Sequence, residues 1–397
     1  MKIFFILILF LLLSIGVTWP LIGNFNSQII DRFDGLLITW FLNWDIHWVI
    51  SAVSQLRLSN IYNANIFYPF KGSLLFSEMM FPQALLALPL VVFFKEPLLA
   101  YNLNYLLGFA FTGLSLYVLV SGLTKSIKIS LAAGVIFTFS VIHLNYMAHL
   151  QLFNLWPLIF ALHFLIKEKY KTFVLFFLIS SLTTALFFYF LLLFLAVYVF
   201  LNRKKARKIC GFLILATLFT APFLFPYYWV SKYYNYTRPI NDAIHFSLQF
   251  SDLLNISSAS RLSAFISPTS SGTPAYFGLS LSILIITAFI ALFRKYRSKL
   301  LKLSLIEKQF LLTGLFSLIL SFGPALHIFQ NTIHIGPIPA IPLPYLAFYY
   351  LVPGFSGFRT PSRWILLTAL CWTVFGFIFM KNRLSRKVLV GLVLLVF

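Results

Sequence analysis

Long apolar stretches recur along the whole chain, and short segments rich in lysine and arginine separate them. A helix needs about 20 apolar residues to cross the hydrocarbon core of a bilayer. The chain is 60% hydrophobic and only 10% charged, whereas soluble domains are roughly 45–50% apolar and about 25% charged. We therefore expect an integral membrane protein with helical spans, because a helix satisfies its own backbone hydrogen bonds inside lipid.

The apolar stretches predict an all-α polytopic fold with about eleven transmembrane helices. The long stretch 172–201 has basic segments at both ends, and we interpret it as a tight hairpin of two spans. The predicted spans are 3–22, 98–122, 129–143, 150–166, the two within 172–201, 209–227, 277–293, 309–329, 363–380 and 388 onward. They form one predicted domain, 1–397, which we expect to be truncated at its C-terminus because the last span is still apolar at Phe397.

The distribution of charge predicts the orientation of these spans. Short loops rich in lysine and arginine mark the cytoplasmic side of a membrane protein. With Lys2 inside, 21 of the 30 basic residues fall on that side, and of the nine acids only Glu168 and Glu307 do. The net charge of +21 is therefore expected to orient the chain in the membrane, and no nucleic-acid partner is predicted.

Three long segments, 23–97, 228–276 and 330–362, then face the outside. The first contains two further apolar stretches, which we expect to lie in the membrane interface without crossing. Residues 81–94 would reach only about 21 Å as a helix, short of a core of ~30 Å. Residues 35–56 are long enough, but an acid at the centre of a span costs roughly 2.5–3.5 kcal/mol.

That acid is Asp45, which we interpret as a structural polar pair with His47 near the interface. Trp40, Trp44 and Trp48 are spaced four apart and so share one face of a helix. Tryptophan is enriched at the headgroup level of membranes. The pattern predicts a helix that lies along the membrane surface.

Several motifs, in their order along the chain, resemble the GT-C superfamily of membrane glycosyltransferases. They are "DGLLITWFLNWDIHW", "IYNANIFYPFKGSLLFSE", "EPLLAYNLNYLLGFAFTGLSLYVL", "HLNYMAHLQLFNLWPL" and "PGFSGFRTPSRW". They look like a group of bacterial polytopic proteins placed near the GT-C and YfhO-like enzymes. The resemblance covers most of the chain and implies a GT-C-like domain in a bacterial cytoplasmic (inner) membrane, with the N-terminus inside and the active site at the outer face.

Enzymes of this kind transfer a sugar from a polyprenyl-phosphate donor to a lipid, polymer or protein acceptor. An acid in their first outer loop acts as a base or as a metal ligand. Asp34 matches that acid best, with Asp31 close by. A carboxylate is suited to take the proton of an acceptor hydroxyl. Its oxygen atoms are also suitable ligands for a divalent cation such as Mg²⁺ or Mn²⁺. Helix N-capping is the competing interpretation of Asp34.

Further candidate substrate-binding residues follow from the same comparison. Glu78 matches a family acid, although its position at a helix start also suits capping. The second outer loop along the chain is a short one, 143–151, which has no acid but carries His143, His149 and Gln151. Arg359 and Arg363 are cations on the predicted outer side, against the general charge trend. Because arginine binds phosphate through paired hydrogen bonds, we expect them to bind either the donor phosphate or lipid headgroups.

Two other functions remain open from the sequence. A transporter or flippase for a lipid-linked glycan would show charged or broken helices near the membrane midplane, and the predicted spans carry essentially no such charges. A non-catalytic membrane protein would agree with the missing acid of the second outer loop. The position of the acids in loops favours the enzyme.

Overall fold

The computed structural model describes residues 2–56, 59–236, 238–256, 275–296, 303–328, 331–332 and 340–397. The predicted outer segments 228–276 and 330–362, and the basic segment 294–308, lie partly outside these residues. Within them the chain is helical apart from one short antiparallel ladder, β1 His327–Ile328 with β2 Asn331–Thr332. The all-α prediction is confirmed at this level.

The helices, in chain order, are α1 Lys2–Val17, α2 Asp34–Gln55, α3 Phe81–Phe94, α4 Leu98–Thr124, α5 Ile127–Thr138, α6 Val141–Leu144, α7 Leu150–Phe153, α8 Trp156–Ile166, α9 Tyr170–Thr183, α10 Ala185–Leu201, α11 Ala206–Tyr233, α12 Ile240–His245, α13 Leu279–Tyr296, α14 Leu305–Ser321, α15 Pro344–Leu351, α16 Ile365–Phe379 and α17 Arg386–Leu394. Several starts carry the expected side chain. Ser304 and Glu307 form a reciprocal capping box at the start of α14.

Four helical segments of the described chain are long and apolar enough to cross a membrane: Asp34–Gln55, Leu98–Thr124, Arg203–Tyr233 and Pro361–Phe379. Shorter apolar helices accompany them, among them α1, α9 and α10. These lengths and compositions support a helical protein associated with a membrane. The count of eleven spans stays a prediction. The first segment is a single 22-residue helix, so its length suits a crossing as well as the interfacial position predicted for it.

Two compact units make up the chain, and each has its own core. The first contains Met1–Leu119, Tyr146–Leu191 and Arg207–Asn235. In it α8 packs along α9, and α2 and α9 both pack on α3. Phe10 of α1 lies so close to Gly113 of α4 that a Cβ atom at Gly113 would overlap its ring.

The second unit contains Val120–Asn145, Leu192–Ala206 and Tyr236–Phe397. Its centre is the pair α14 and α16, beside which α5, α13 and α17 pack. Ser317 donates a hydrogen bond to the carbonyl of Trp364 across this pair at 2.6 Å. The prediction of one domain stays a prediction.

The stretch 172–201 forms two helices, and their arrangement as a hairpin of two spans stays a prediction. Helices α9 and α10 follow one another with a single non-helical residue, Thr184, whose backbone is extended at φ −157° and ψ 139°. Helix α9 packs along α8 and α3. The apolar run is interrupted at Thr184.

The tryptophan stripe of α2 (Trp40, Trp44 and Trp48) contacts the loop that follows the helix. The indole N–H of Trp44 donates to the carbonyl of Ile61 at 2.9 Å, and that of Trp48 donates to the carbonyl of Ser59 at 2.8 Å. Trp40 stacks on Trp44 with ring centres 5.9 Å apart. The stripe thus fastens the following loop to α2, a contact that the headgroup interpretation did not include.

Candidate functional site

The start of α2 separates the two acids that the sequence analysis grouped. Both carboxylate oxygens of Asp31 accept backbone N–H groups, from Gly35 at 3.0 Å and from Phe33 at 3.4 Å. The N-cap residue itself is Phe33, whose side chain makes no cap. Asp31 therefore satisfies the open N–H groups of the first turn. Asp31 thus helps to fix the start of α2, and its predicted catalytic role stays a prediction.

Asp34 is the first residue of α2 and is not its cap. The capping interpretation of Asp34 is therefore wrong, because Asp31 does that work. A carboxylate oxygen of Asp34 lies 3.7 Å from Nε2 of His149. The two side chains are 53% and 34% exposed, so the pair is open to solvent and to a substrate. The structure brings together one candidate from each of the first two predicted outer loops.

Helix α4 positions both halves of this pair. Its Asn102 side chain donates to the carbonyls of Phe25 and Gln28 at 2.7 and 2.8 Å, which holds the segment leading to Asp31. Two tyrosines of the same helix hold the segment leading to His149. Tyr101 donates to the carbonyl of Met147 at 3.3 Å, and Tyr105 contacts the Met147 sulfur at 2.8 Å.

The fit around Gly35 shows how tightly the start of α2 is held. A Cβ atom there would lie 3.1 Å from Cδ1 of Ile29 and 3.5 Å from Cζ of Tyr101. The tight contact is with Ile29, so the segment before α2 packs closely on the first turn of the helix.

Gln151 follows two residues after His149, at the start of α7. Its Oε1 atom is buried and has no hydrogen-bond partner among the described residues. No contact joins it to Asp34 in the described part of the chain. Its predicted substrate-binding role stays a prediction.

The donor set at Asp34 does not make up a divalent-cation site from the described residues. Mg²⁺ and Ca²⁺ prefer several oxygen ligands around one point. No group of three or more histidine, cysteine or acidic side chains with the spacing of a metal site occurs in the described ranges. Asp31, the nearest further acid, already accepts two backbone N–H groups. The predicted cation stays a prediction, and the chemistry proposed below is built from protein groups alone.

Glu78 lies in a second place within the first unit. It precedes α3 by three residues, and α3 has Met80 as its N-cap without a side-chain cap. The capping interpretation of Glu78 stays a prediction. Its carboxylate accepts a hydrogen bond from the hydroxyl of Thr184, at the break between α9 and α10.

A small cleft opens beside this contact. It is lined by Glu78, Met79, Ser181, Leu182, Thr183, Thr184, Ala185, Phe223, Leu224 and Tyr227. The Tyr227 hydroxyl donates to the carbonyl of Ser77 at 2.9 Å. The cavity volume is about 10 Å³, about the size of one ordered water molecule. It is too small for a sugar.

Asp45 is completely buried, with 0% of its surface exposed. The expected pair with His47 is not formed: neither Asp45 oxygen has a hydrogen-bond partner among the described residues, and His47 contacts Ser51 at 3.5 Å. Side chains two positions apart on a helix point in different directions. The sequence signal for a buried acid was the apolar helix around it, which the interfacial interpretation discounted.

His143 lies in the second unit and is also completely buried. Its Nδ1 atom is 2.7 Å from the carbonyl oxygen of Thr138. A carbonyl can only accept, so Nδ1 carries the proton and donates. The ring also stacks on Phe137 at 5.8 Å. His143 thus lies in the core of its unit, and its predicted substrate-binding role stays a prediction.

The two arginines also belong to the second unit. Arg359 is exposed, and its guanidinium lies 5.4 Å from the ring centre of Phe246. Arg363 is half-buried in the turn Pro361–Trp364, whose Ser362 N–H donates to the Phe246 carbonyl at 3.2 Å. No acid lies within ion-pair distance of either guanidinium in the described ranges. Both cations are therefore available for an anion.

The length and composition of the helices indicate a helical membrane protein. The solvent-exposed pair of Asp34 and His149 in the first unit is its candidate polar site. No family model, no curated protein and no solved structure matches the chain.

Proposed function

We propose that the chain is a membrane glycosyltransferase of GT-C type. It transfers a sugar from a polyprenyl-phosphate donor to a lipid, polymer or protein acceptor, at the outer face of a bacterial cytoplasmic membrane. The proposal includes eleven spans with the N-terminus in the cytoplasm. The observation that carries it is the pairing of Asp34 with His149 at 3.7 Å. It places a carboxylate and an imidazole together at an accessible helix start.

In this proposal Asp34 is the general base. The acceptor hydroxyl loses its proton to the Asp34 carboxylate while its oxygen forms a bond to the anomeric carbon of the sugar. The bond from that carbon to the phosphate oxygen breaks, and the polyprenyl phosphate leaves with the electron pair. A general base must stand within hydrogen-bond reach of the proton it takes, and the exposed position of Asp34 allows that approach.

His149 orients the base. An imidazole 3.7 Å from a carboxylate oxygen is farther than an ideal hydrogen bond, and such contacts commonly shorten when a substrate binds. Three side chains of α4, through four hydrogen bonds, keep the two backbone segments in place. The site therefore needs little reorganisation before an acceptor binds.

The donor phosphate requires cations. Arg359 and Arg363 of the second unit are candidates for binding phosphate, of the donor or of lipid headgroups, because neither has an acidic partner in the described ranges and guanidinium groups bind phosphate in a bidentate manner. Glu78, Gln151 and His143 remain candidate substrate contacts only through the family resemblance.

The test is transfer by the purified full chain in lipid nanodiscs, with a panel of radiolabelled polyprenyl-phosphate sugars and release of polyprenyl phosphate as the readout. Asp34→Asn should lose at least about 100-fold in turnover, the usual size of a general-base contribution. Glu96→Gln is the matched control, since Glu96 is an exposed acid of the same predicted loop. Wild-type turnover in Asp34→Asn would remove Asp34 from the mechanism.

A transporter or flippase for a lipid-linked glycan is the second candidate. Two findings favour it: the buried Asp45 in a helix long enough to span a membrane, and the break of an apolar run at Thr184. Both features are typical of transport proteins. Movement of a labelled lipid-linked glycan across a proteoliposome membrane, without release of polyprenyl phosphate, would decide for transport.

A further inference from the structure

The starts of α9 and α11 carry two groups of cations, and both groups belong to the first unit. Lys169 and Lys171 lie at the first turn of α9, and Arg207 and Lys208 lie in the first turn of α11. All four side chains are exposed, and none of them forms an ion pair with a described residue. Glu168 is the only acid adjacent to them in the chain. These four cations, which we call the basic patch, therefore carry a net positive charge.

Tyr170 joins the two helix starts. Its side chain is buried, and its ring stacks on the ring of Phe212 with centres 5.0 Å apart. The ammonium nitrogen of Lys208 lies 4.8 Å from the centre of the same ring. Lys208 and Phe212 are four residues apart and so share one face of α11. Because Tyr170 lies between Lys169 and Lys171 in the chain, these contacts bring the cations of both helices together.

Both helices continue from the basic patch with exposed apolar side chains. On α9, Leu175 is exposed and lies one turn after Lys171, on the same face. On α11, Leu215 and Phe219 are exposed and share a face with Lys208. Among the four described segments long enough to cross a membrane, the one that contains α11 is the least buried. In a membrane, such a surface faces acyl chains.

We propose that the basic patch and the apolar faces beside it bind an anionic phospholipid. The four cations bind the phosphate of the headgroup, and the exposed apolar side chains of α9 and α11 contact the acyl chains. Basic pockets between membrane helices bind anionic headgroups in this way. A soluble anion would match only the cations and a neutral lipid only the apolar faces, whereas an anionic phospholipid matches both. The site requires a chain that lies in a membrane and does not depend on the glycosyltransferase proposal.

The test measures which lipid contacts the apolar face of α11. Leu215→Cys is introduced together with Cys210→Ser, so that a bimane label reacts at one exposed position, since the remaining Cys371 is buried. The labelled full chain is placed in phosphatidylcholine nanodiscs with a rising fraction of a brominated lipid, whose acyl chains quench the label on contact. Brominated phosphatidylglycerol should reach half-maximal quenching at a mole fraction at least about fivefold lower than brominated phosphatidylcholine, the effect of about one cation near an anionic headgroup. Equal quenching by the two lipids would overturn the proposal.

Charge variants locate the effect. Lys208→Gln and Lys171→Gln should each reduce the preference for phosphatidylglycerol by at least about threefold, and Lys208→Arg should retain it. Lys381→Gln removes the same charge from an exposed position of the second unit and should leave the preference unchanged. An equal loss in Lys381→Gln would show a general attraction between the chain and anionic lipid, and the assignment of a site would be wrong.

Two measurements on the wild type cover the case in which a variant does not fold. Native mass spectrometry of the full chain with equal amounts of both lipids should show preferential binding of phosphatidylglycerol, and equal binding would contradict the site. Excess inorganic phosphate should not displace the bound lipid, because phosphate has no acyl chains. Displacement would show a site for soluble anions instead. Asp34→Asn should keep the lipid preference, so loss of transfer activity with intact lipid binding separates the two proposals.

Discussion

The Asp31 carboxylate accepts the backbone N–H of Gly35 at 3.0 Å, at the first turn of α2. Loss of such a cap costs about 0.5–2 kcal/mol, so Asp31→Ala should lower the free energy of unfolding by that amount. Asp34→Asn is the comparison. It breaks only an exposed ion pair, which is worth less than about 1 kcal/mol. Thermal or denaturant unfolding of the purified protein measures both, and a larger loss in Asp34→Asn would contradict the assignment of the cap.

The hydrogen bond from Thr184 to Glu78 joins the helix break to the segment before α3. Thr184→Val keeps the shape but removes the donor, and hydrogen bonds to charged groups contribute about 1.5–3 kcal/mol. We expect a loss of that size in the free energy of unfolding. Thr184→Ser restores a hydroxyl and should recover most of it. Equal stability of the valine and serine variants would show that the bond contributes little.

Close packing at Gly113 predicts a steric effect with a rescue. A Cβ atom there overlaps the ring of Phe10, and overpacking of a core costs about 1–3 kcal/mol. Gly113→Ala should therefore destabilise the protein, and the added Phe10→Leu change should restore part of the loss. Gly211→Ala in α11 is the control, because nothing lies within 4 Å of its Cβ position. It should be neutral or slightly stabilising.

Tyr62 predicts a stability change at alkaline pH. Burial, and then the charge of Asp45, raise the pKa of its phenol above the ordinary 10.0. The folded state then holds the proton more tightly than the unfolded state. This stabilisation is complete below about pH 10 and is lost as the pH rises toward the raised pKa.

Tyr62→Phe removes the group that ionises. The fall in Tm between about pH 9 and about pH 11 should therefore be smaller in this variant than in the wild type. Asp45→Asn should bring the pKa of Tyr62 part of the way back, which ultraviolet titration against Tyr62→Phe detects. Identical alkaline profiles of wild type and Tyr62→Phe would contradict the burial of the phenol.

Substitution of Arg363 is expected to weaken the binding of a phosphate group. If Arg363 binds phosphate, Arg363→Ala should weaken binding of a polyprenyl-phosphate lipid at least about 10-fold, and Arg363→Lys should recover only part of it because lysine lacks the planar fork. Binding to the purified chain in nanodiscs of neutral lipid measures this. Arg383 in a predicted cytoplasmic segment is the control position for an alanine substitution. An equal loss at both positions would show a general effect of charge.

The membrane class and the start of α2 could be predicted from the sequence because both depend on local pattern. The length of the apolar runs indicates a membrane protein, and an acid before an apolar run indicates the start of a helix. The competing interpretation of Asp34 as the cap was one turn too late, because Asp31 reaches forward over four residues to Gly35. That reach depends on backbone geometry, which spacing does not specify.

The contact between Asp34 and His149 depends on α4, which holds both segments through Asn102, Tyr101 and Tyr105. Such a tether between distant parts of the chain leaves no periodic signal. The break at Thr184 had a local signal, a pair of threonines, whose branched side chains favour extended backbone. The basic flanks on both sides favoured a hairpin of two spans, which stays a prediction.

The two indole hydrogen bonds of α2 fix the position of the following loop along the helix. Trp44 and Trp48 are four residues apart, a rise of about 6 Å, and they hold carbonyls two residues apart, Ile61 and Ser59, in reverse order. One residue inserted between the tryptophans would turn one indole by about 100° and release the loop that carries Tyr62.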